Sequence, residues 1–373
     1  MQNKALHIIS FDNPFPPKYG GVIEVFYKIK AFHELGFQVY LHCFVDEIPM
    51  ENTILDQFVT QVFYYKNKKS LISFFSWKPF SVNYRQDKTL LLNLKKISAP
   101  ILFESLKTTS LMGKNIFPQK TILRLHNIEH DYFSGIARTE SNLFLKIVFY
   151  IESLKYKRYQ SVIHTFDAVS TLSCKETDYI SKKFKKADYI PLFHGNETVK
   201  NLSQFGDFAI YNGDLRTSDN RKAVLFLIEI FKEIKDYNLV IAASDRQEWV
   251  ERQIQSTNNI SFVKLTDFEY LKQLLSMAHI NIMASFQESG TKLKVINALY
   301  NSRHCLINNN MIDYSRILDL CTLAVTKTDF IKEITYLRQQ PYLDFDKRKT
   351  VLEEVLSDKK NAITLMEMIN TTN

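Results

Sequence analysis

Apolar residues follow two alternating rhythms along the chain. Residues 5–11 (ALHIISF) form an apolar run of strand length. Val22, Val25, Phe26, Ile29 and Phe32 then repeat at helical spacing up to Gly36, which predicts a helix closed by a glycine cap. Further strands are predicted at 37–45, 58–65, 101–104, 121–126 and 167–172, with helical stretches between them, the longest at 142–164. The rhythm restarts in the second half. Segments 208–211, 239–243, 260–263, 280–284 and 305–308 read as strands, and 221–234, 250–255, 268–277 and 292–299 as helices. Such alternation predicts parallel sheets covered by helices on both faces. Two restarts predict two such domains, 1–195 and 196–349, parted by the polar stretch 196–207, with 350–373 as a C-terminal helix that closes the second domain or returns to the first.

Charge separates the two halves. The chain carries a net +8, but residues 1–195 hold 26 Lys and Arg against 17 Asp and Glu, while residues 196–373 hold 22 against 23. A basic half beside a neutral one suggests that the first half meets something anionic. No module signature for nucleic acid accompanies the charge, and charge alone is non-specific, so nucleic acid is not expected as a partner. Four widely spaced cysteines form no CxxC pair, which disfavours a disulfide scaffold and a cysteine zinc site. No apolar window has the roughly 18–20 residues of a membrane span, and the start lacks a signal peptide's pattern. The expectation is a cytoplasmic protein, peripheral at the inner face of the membrane.

Glycine is scarce, 9 in 373 residues, a third of the usual share of roughly 7%, so each position is informative. Gly20 and Gly21 are read in the loop after the first strand, Gly213 after the first strand of the second half, and Gly290 between a strand and a helix. In doubly wound sheets ligands bind beyond the carboxyl ends of the strands. Backbone there can approach a phosphate, and the following helix offers free N–H groups. Neither GxGxxG nor GxxxxGK[ST] is present.

Five segments in order resemble the retaining GT-B glycosyltransferases of the GT4 type, the glycosyl transferases group 1. They are PFPPKYGGVIEVFYKIKAFHELGFQVYLHCF, LRLHNIEHDYF, FDAVSTLSCKETDYI, AIYNGDLRTSDNRKAVLFLIE and SFQESGTKLKVINALYNSRHCLI. The resemblance implies an α/β GT-B fold, two Rossmann-like doubly wound domains facing across a cleft, 1–195 binding acceptor and 196–349 binding nucleotide sugar. It implies metal-independent, hexosyl-type transfer with retention from a nucleotide-sugar donor (UDP, GDP or ADP left open) to a glycan or lipid-linked glycan acceptor, without a cofactor. A GT-B sugar-nucleotide epimerase and a non-catalytic GT-B-like partner subunit stand as alternatives.

His126 is expected near the anomeric carbon. Glu129 is expected to bind an acceptor hydroxyl or to hold Arg124 or His130. Donor binding is expected from Gly20, Gly21, Gly213, Arg216, Arg221, Lys222, Glu288, Ser289, Gly290, Thr291, Lys292 and Asn297, with Lys294 nearby and able to point outward. Protein cations here would carry the diphosphate charge that a metal neutralises elsewhere. The sequence departs from the pattern at three places. Asn297 stands where the ribose-binding glutamate is usual, Ser289 follows Glu288 at the first glutamate position, and Asp214 follows Gly213 where a basic residue is common. Segments 71–80 and 143–159 combine aromatics with Lys and Arg and are candidates for contact with an anionic membrane through residues 1–195.

Overall fold

The computed structural model describes residues 4–50, 54–70, 73, 75–140, 142–287 and 292–371. It divides into two compact units, one of Met1–Arg138, Asn142–Gly195 and Leu356–Asn373, the other of Thr139–Ser141 and Asn196–Val355.

In the first unit the chain runs β1 (Ala5–Ser10), α1 (Gly20–Glu34), β2 (Gln38–Val45), β3 (Gln61–Lys66), α2 (Lys88–Lys96), β4 (Ile101–Glu104), β5 (Thr121–Leu125), α3 (Glu129–Thr139), α4 (Leu143–Tyr159), β6 (Ala168–Thr171), α5 (Cys174–Lys183) and β7 (Asp188–Tyr189). Among the described residues the strands form one seven-stranded sheet in the order β3-β2-β1-β4-β5-β6-β7. Its ladders are parallel. Every residue of β1, β4, β5 and β6 is buried, which is why these strands read as continuous apolar runs. The sheet carries a core on each face. One includes Leu6, Ile8, Val25, Ile29 and Phe32, the other Ile9, Phe103, Leu123, Val169 and Tyr156.

The second unit repeats the plan with β8 (Ala209–Asn212), α6 (Ser218–Phe231), β9 (Leu239–Ala243), α7 (Gln247–Ile254), β10 (Ile260–Lys264), α8 (Phe268–Met277), β11 (Ile280–Met283), α9 (Leu293–Asn301), β12 (His304–Ile307), β13 (Thr322–Leu323) and α10 (Lys327–Leu337). The strand order is β10-β9-β8-β11-β12-β13, again in parallel ladders. Helix starts are set by side chains that accept from otherwise unpaired N–H groups: Asp87, Ser173, Thr217 and Asp267, and a Thr326–Asp329 capping box at α10.

The tail forms two helices, α11 (Phe345–Val355) and α12 (Asp358–Thr371). Ala362, Leu365 and Met368 of α12 enter the same core as Val25, Ile29 and Phe32. The Asp358 carboxylate accepts from the backbone N–H groups of His194 and Gly195 and so ties the tail to the end of the first unit's main segment. Strands β7 and β13 have two residues each, too few to leave a periodicity in the sequence.

In each sheet the strand order reverses between two neighbours, β1 and β4 in one unit, β8 and β11 in the other. The crevice beyond their carboxyl ends is where such folds bind ligands.

Candidate active site

At the first reversal, five ionisable side chains, four from α1, β4 and β5 and His126 just after β5, are packed out of water. Lys28 Nζ lies 2.7 Å from Glu24 Oε2 and 2.6 Å from Glu104 Oε1. Arg124 donates to Glu24 Oε1 from Nε at 3.1 Å and from Nη2 at 2.9 Å, and from Nη1 and Nη2 to the carbonyls of Thr171, Ile190 and Pro191. Burial pushes the Glu24 carboxyl up, but Lys28, Arg124 and His126 outweigh it and hold the group at about 2. Glu24, Glu104 and His126 present ligand atoms within 4.8 Å of one another, the spacing of a metal triad. The Lys28 ammonium already bridges both carboxylates, so a cation is supplied by the chain itself.

His126 follows β5. Its Nε2 lies 2.8 Å from Glu104 Oε2, and an ionised carboxylate only accepts, so Nε2 carries the proton. Nδ1 has no hydrogen-bond partner among the described residues. The Phe11 ring stands edge-on to the imidazole at 5.3 Å between centroids. Gly21 explains that ring's position, since a Cβ there would lie 2.8 Å from Phe11 Cζ. Gly20 and Gly21 are the first two residues of α1 rather than loop residues, and a Cβ at Gly20 meets nothing within 4 Å.

Glu129 opens α3 and is buried. It holds neither Arg124, which Glu24 takes, nor His130. Its Oε1 accepts from Ser105 Oγ at 2.7 Å and lies 3.4 Å from Lys107 Nζ, while Oε2 is buried without a hydrogen-bond partner among the described residues. Ser105 sits at φ 67° and ψ 157°, a region essentially reserved for glycine. The strained residue directly follows Glu104, so one turn supports both His126 and Glu129. Replacing Ser105 by Gly is expected to keep or raise the melting temperature, because the strain is released, while turnover falls with the loss of the Glu129 contact. Equal turnover in the two proteins would separate Ser105 from the site.

At the second reversal, the residues read as donor ligands divide into two groups. Arg216 is bound through Nε and Nη2 to Asp214 at 2.9 and 2.6 Å, and Arg221 Nη1 donates to the carbonyls of Leu215 and Arg216. Both arginines therefore build the loop after Gly213. That glycine is required by close packing: a Cβ would lie 2.9 Å from Tyr211 Oη and 3.1 Å from Asn220 Cγ. Asn297 is buried in α9 and its Oδ1 accepts from Asn196 Nδ2 at 2.9 Å, so the acceptor atom read as a ribose ligand is engaged within the unit. Lys222 stands over the Phe286 ring, 4.3 Å from its centroid. Lys292 precedes α9 as its N-cap residue. Glu288, Ser289, Gly290 and Thr291 lie outside the described residues.

The loop leading toward them is clamped. Asp219 accepts from Phe286 N and Ser285 Oγ, both at 2.8 Å, and Asn308 and Asn310 bond the Ser285 backbone. Lys294 is the residue the sequence reading undervalued. It turns inward, with Nζ 3.1 Å from Asn220 Oδ1 and 4.8 Å from the Tyr211 ring centroid. Burial, opposed by Asp219 and reinforced by Lys292, lowers its ammonium to about 7. It makes no ion pair among the described residues. A lysine inside the apolar run LKVINAL was the available signal. Glu24, Lys28 and Glu104 were also missed, because only the fold brings residues up to 100 positions apart together.

Residues 208–317 match the family model described as glycosyl transferases group 1. A protein from the cps region of Klebsiella pneumoniae, uncharacterised and of 44.6 kDa, is 24% identical over 313 residues, covering 79% of this chain and 80% of its own. Among solved structures, sucrose-phosphate synthase from Thermosynechococcus elongatus superposes with a TM-score of 0.71 at 12% identity, covering 98% of each chain. Anabaena HepE, solved in complex with UDP and glucose, gives 0.68 at 11% identity, covering 99% of this chain and 100% of its own. The α/β architecture is thus the GT-B fold.

Proposed function

We propose that this GT-B chain, whose residues 208–317 carry the glycosyl transferases group 1 module, moves a hexosyl group from a nucleotide sugar to a glycan or lipid-linked glycan. Retention of configuration and independence from metal are part of the proposal. The observation that carries it is Lys294, an inward-turned ammonium at the strand-order reversal of the matched module that makes no ion pair among the described residues. A diphosphate would add a counter-charge there, and the α9 start adds N–H groups. In the first unit, Glu129 Oε2 awaits a hydroxyl donor, which a sugar provides, and His126 offers Nδ1 from a ring fixed by Glu104. The cps-region relative and the basic first half favour a polysaccharide or lipid-linked acceptor met at an anionic membrane surface.

A thermal-shift panel with UDP, GDP, ADP and their sugar nucleotides tests the reading. One nucleotide is expected to raise the melting temperature, by mass action equivalent to about 2.7 kcal/mol at a hundredfold excess over its dissociation constant. His126→Ala is expected to keep that shift and lose turnover roughly a hundredfold, the scale of one positioned acid–base or polar group. Absence of any nucleotide shift overturns the proposal.

A further inference from the structure

Helix α4 is inside out. Its inward residues include Glu152, Ser153 and Tyr156. Its outward stripe is apolar: Leu143, Phe144, Ile147, Tyr150, Ile151 and Leu154 are 71, 72, 52, 56, 38 and 49% exposed. They recur at spacings of three and four, so they form one continuous face. Scattered exposed apolar residues are ordinary, whereas a contiguous face of this kind marks a binding surface. Trp77, 80% exposed, lies beside the end of the helix, with the Arg158 guanidinium 5.4 Å from its ring, and Lys78 stands over Tyr159. Among the described residues no helix is long and apolar enough to cross a membrane.

Charge decides what covers the face. The helix and its N-cap, 142–159, carry Lys146, Lys155, Lys157 and Arg158 against one acid, Glu152. That acid is buried, while Lys146, Lys157 and Arg158 are exposed along or at the end of the apolar stripe. An apolar stripe whose own helix exposes Lys146, Lys157 and Arg158 and buries its one acid matches the boundary between acyl chains and anionic headgroups. A protein partner of ordinary mixed charge has no use for so one-sided a rim.

We infer that α4 lies in the plane of an anionic bilayer, its apolar stripe among the acyl chains and Trp77 and the basic residues at headgroup level. This deepens the proposed function by naming where the first unit meets a lipid-linked acceptor, and it rests on that reading for the acceptor alone. Vesicle binding is measured without donor or acceptor, so loss of one conclusion leaves the other standing.

The test is co-sedimentation of the full chain with vesicles of phosphatidylcholine alone and of phosphatidylcholine with an equimolar share of phosphatidylglycerol. The chain is expected to bind the anionic vesicles, less so as salt rises, and to shift Trp77 emission to the blue, a shift lost in Trp77→Phe. The Phe144→Ser, Ile147→Ser, Ile151→Ser triple variant, altered only at exposed positions, is expected to melt like the parent and to lose binding. Lys146→Gln with Lys157→Gln is expected to weaken partitioning about fivefold per residue removed. No binding to anionic vesicles at low salt overturns the inference, as does undiminished binding by the triple variant. Self-association that the triple variant abolishes also overturns it, by assigning the face to a second copy.

Discussion

Replacing Lys28 by Met is expected to destabilise the first unit by about 3–5 kcal/mol, the cost of removing one member of a buried ion cluster. Lys28 is fully buried and touches two carboxylates at 2.7 and 2.6 Å. Without it, Glu24 retains Arg124, but Glu104 keeps only the proton of His126. One buried negative charge is left uncompensated. Urea unfolding at neutral pH measures the loss. The pH dependence identifies its cause. In the parent, Glu24 is lowered from 4.5 to about 2, so its contribution is fully present above about 4.5 and is lost as pH falls toward about 2. In the variant the deficit shrinks on acidification, since a carboxylate that takes up a proton no longer needs the ammonium. Lys28→Met with Glu104→Gln is expected to recover part of the stability. An equal deficit at all pH values would make the effect one of packing rather than charge.

Lys294→Met is expected to weaken nucleotide binding by about 10- to 100-fold, corresponding to the roughly 1.5–3 kcal/mol of a charge-assisted hydrogen bond. Its ammonium is lowered from 10.5 to about 7, so the free protein holds it charged below neutrality and loses the charge above. A bound diphosphate favours the charged form. Affinity is therefore highest below about pH 7 and declines above it, and binding at about pH 8 takes up a proton. Calorimetry with UDP in two buffers of different ionisation heat reads that uptake, and Lys294→Met is expected to abolish it. The folding linkage has its own sign. Between about 7 and 10.5 the unfolded chain binds more protons than the folded one, so the ligand-free protein gains stability as pH rises through that window. Unchanged affinity with no proton uptake would remove Lys294 from the donor site.

The same two lysines show what was legible beforehand. Both stand in helices whose apolar spacing is plain in the sequence, in FYKIK and in TKLK. Periodicity places a residue on an element, but it does not say which charge lies opposite. Lys28 of α1 meets Glu104 of β4, 76 positions further along the chain, only because β1 and β4 are neighbours in the sheet. Lys294 reads as outward-pointing until Tyr211 and Asn220 are seen to receive it. The reverse holds for Arg216 and Arg221, cations at the expected place that bond their own loop, Arg216 through Asp214 and Arg221 through the carbonyls of Leu215 and Arg216.

Sequence alone determined the two β-α series, the parallel sheets, the break near residue 196 and the basic first half, because these follow from local periodicity and composition. Tertiary structure alone decided the strand orders and the return of α12 to the first core. It also assembled the buried Glu24–Lys28–Glu104–Arg124–His126 cluster and turned the apolar side of α4 outward. Those features depend on which distant segments share a neighbour, and a helix's hydrophobic face says only that it seeks burial. Whether protein or lipid supplies that burial is set by what already fills the core. Here Glu152, Ser153 and Tyr156 occupy the inward side of α4, and the apolar side is left facing out.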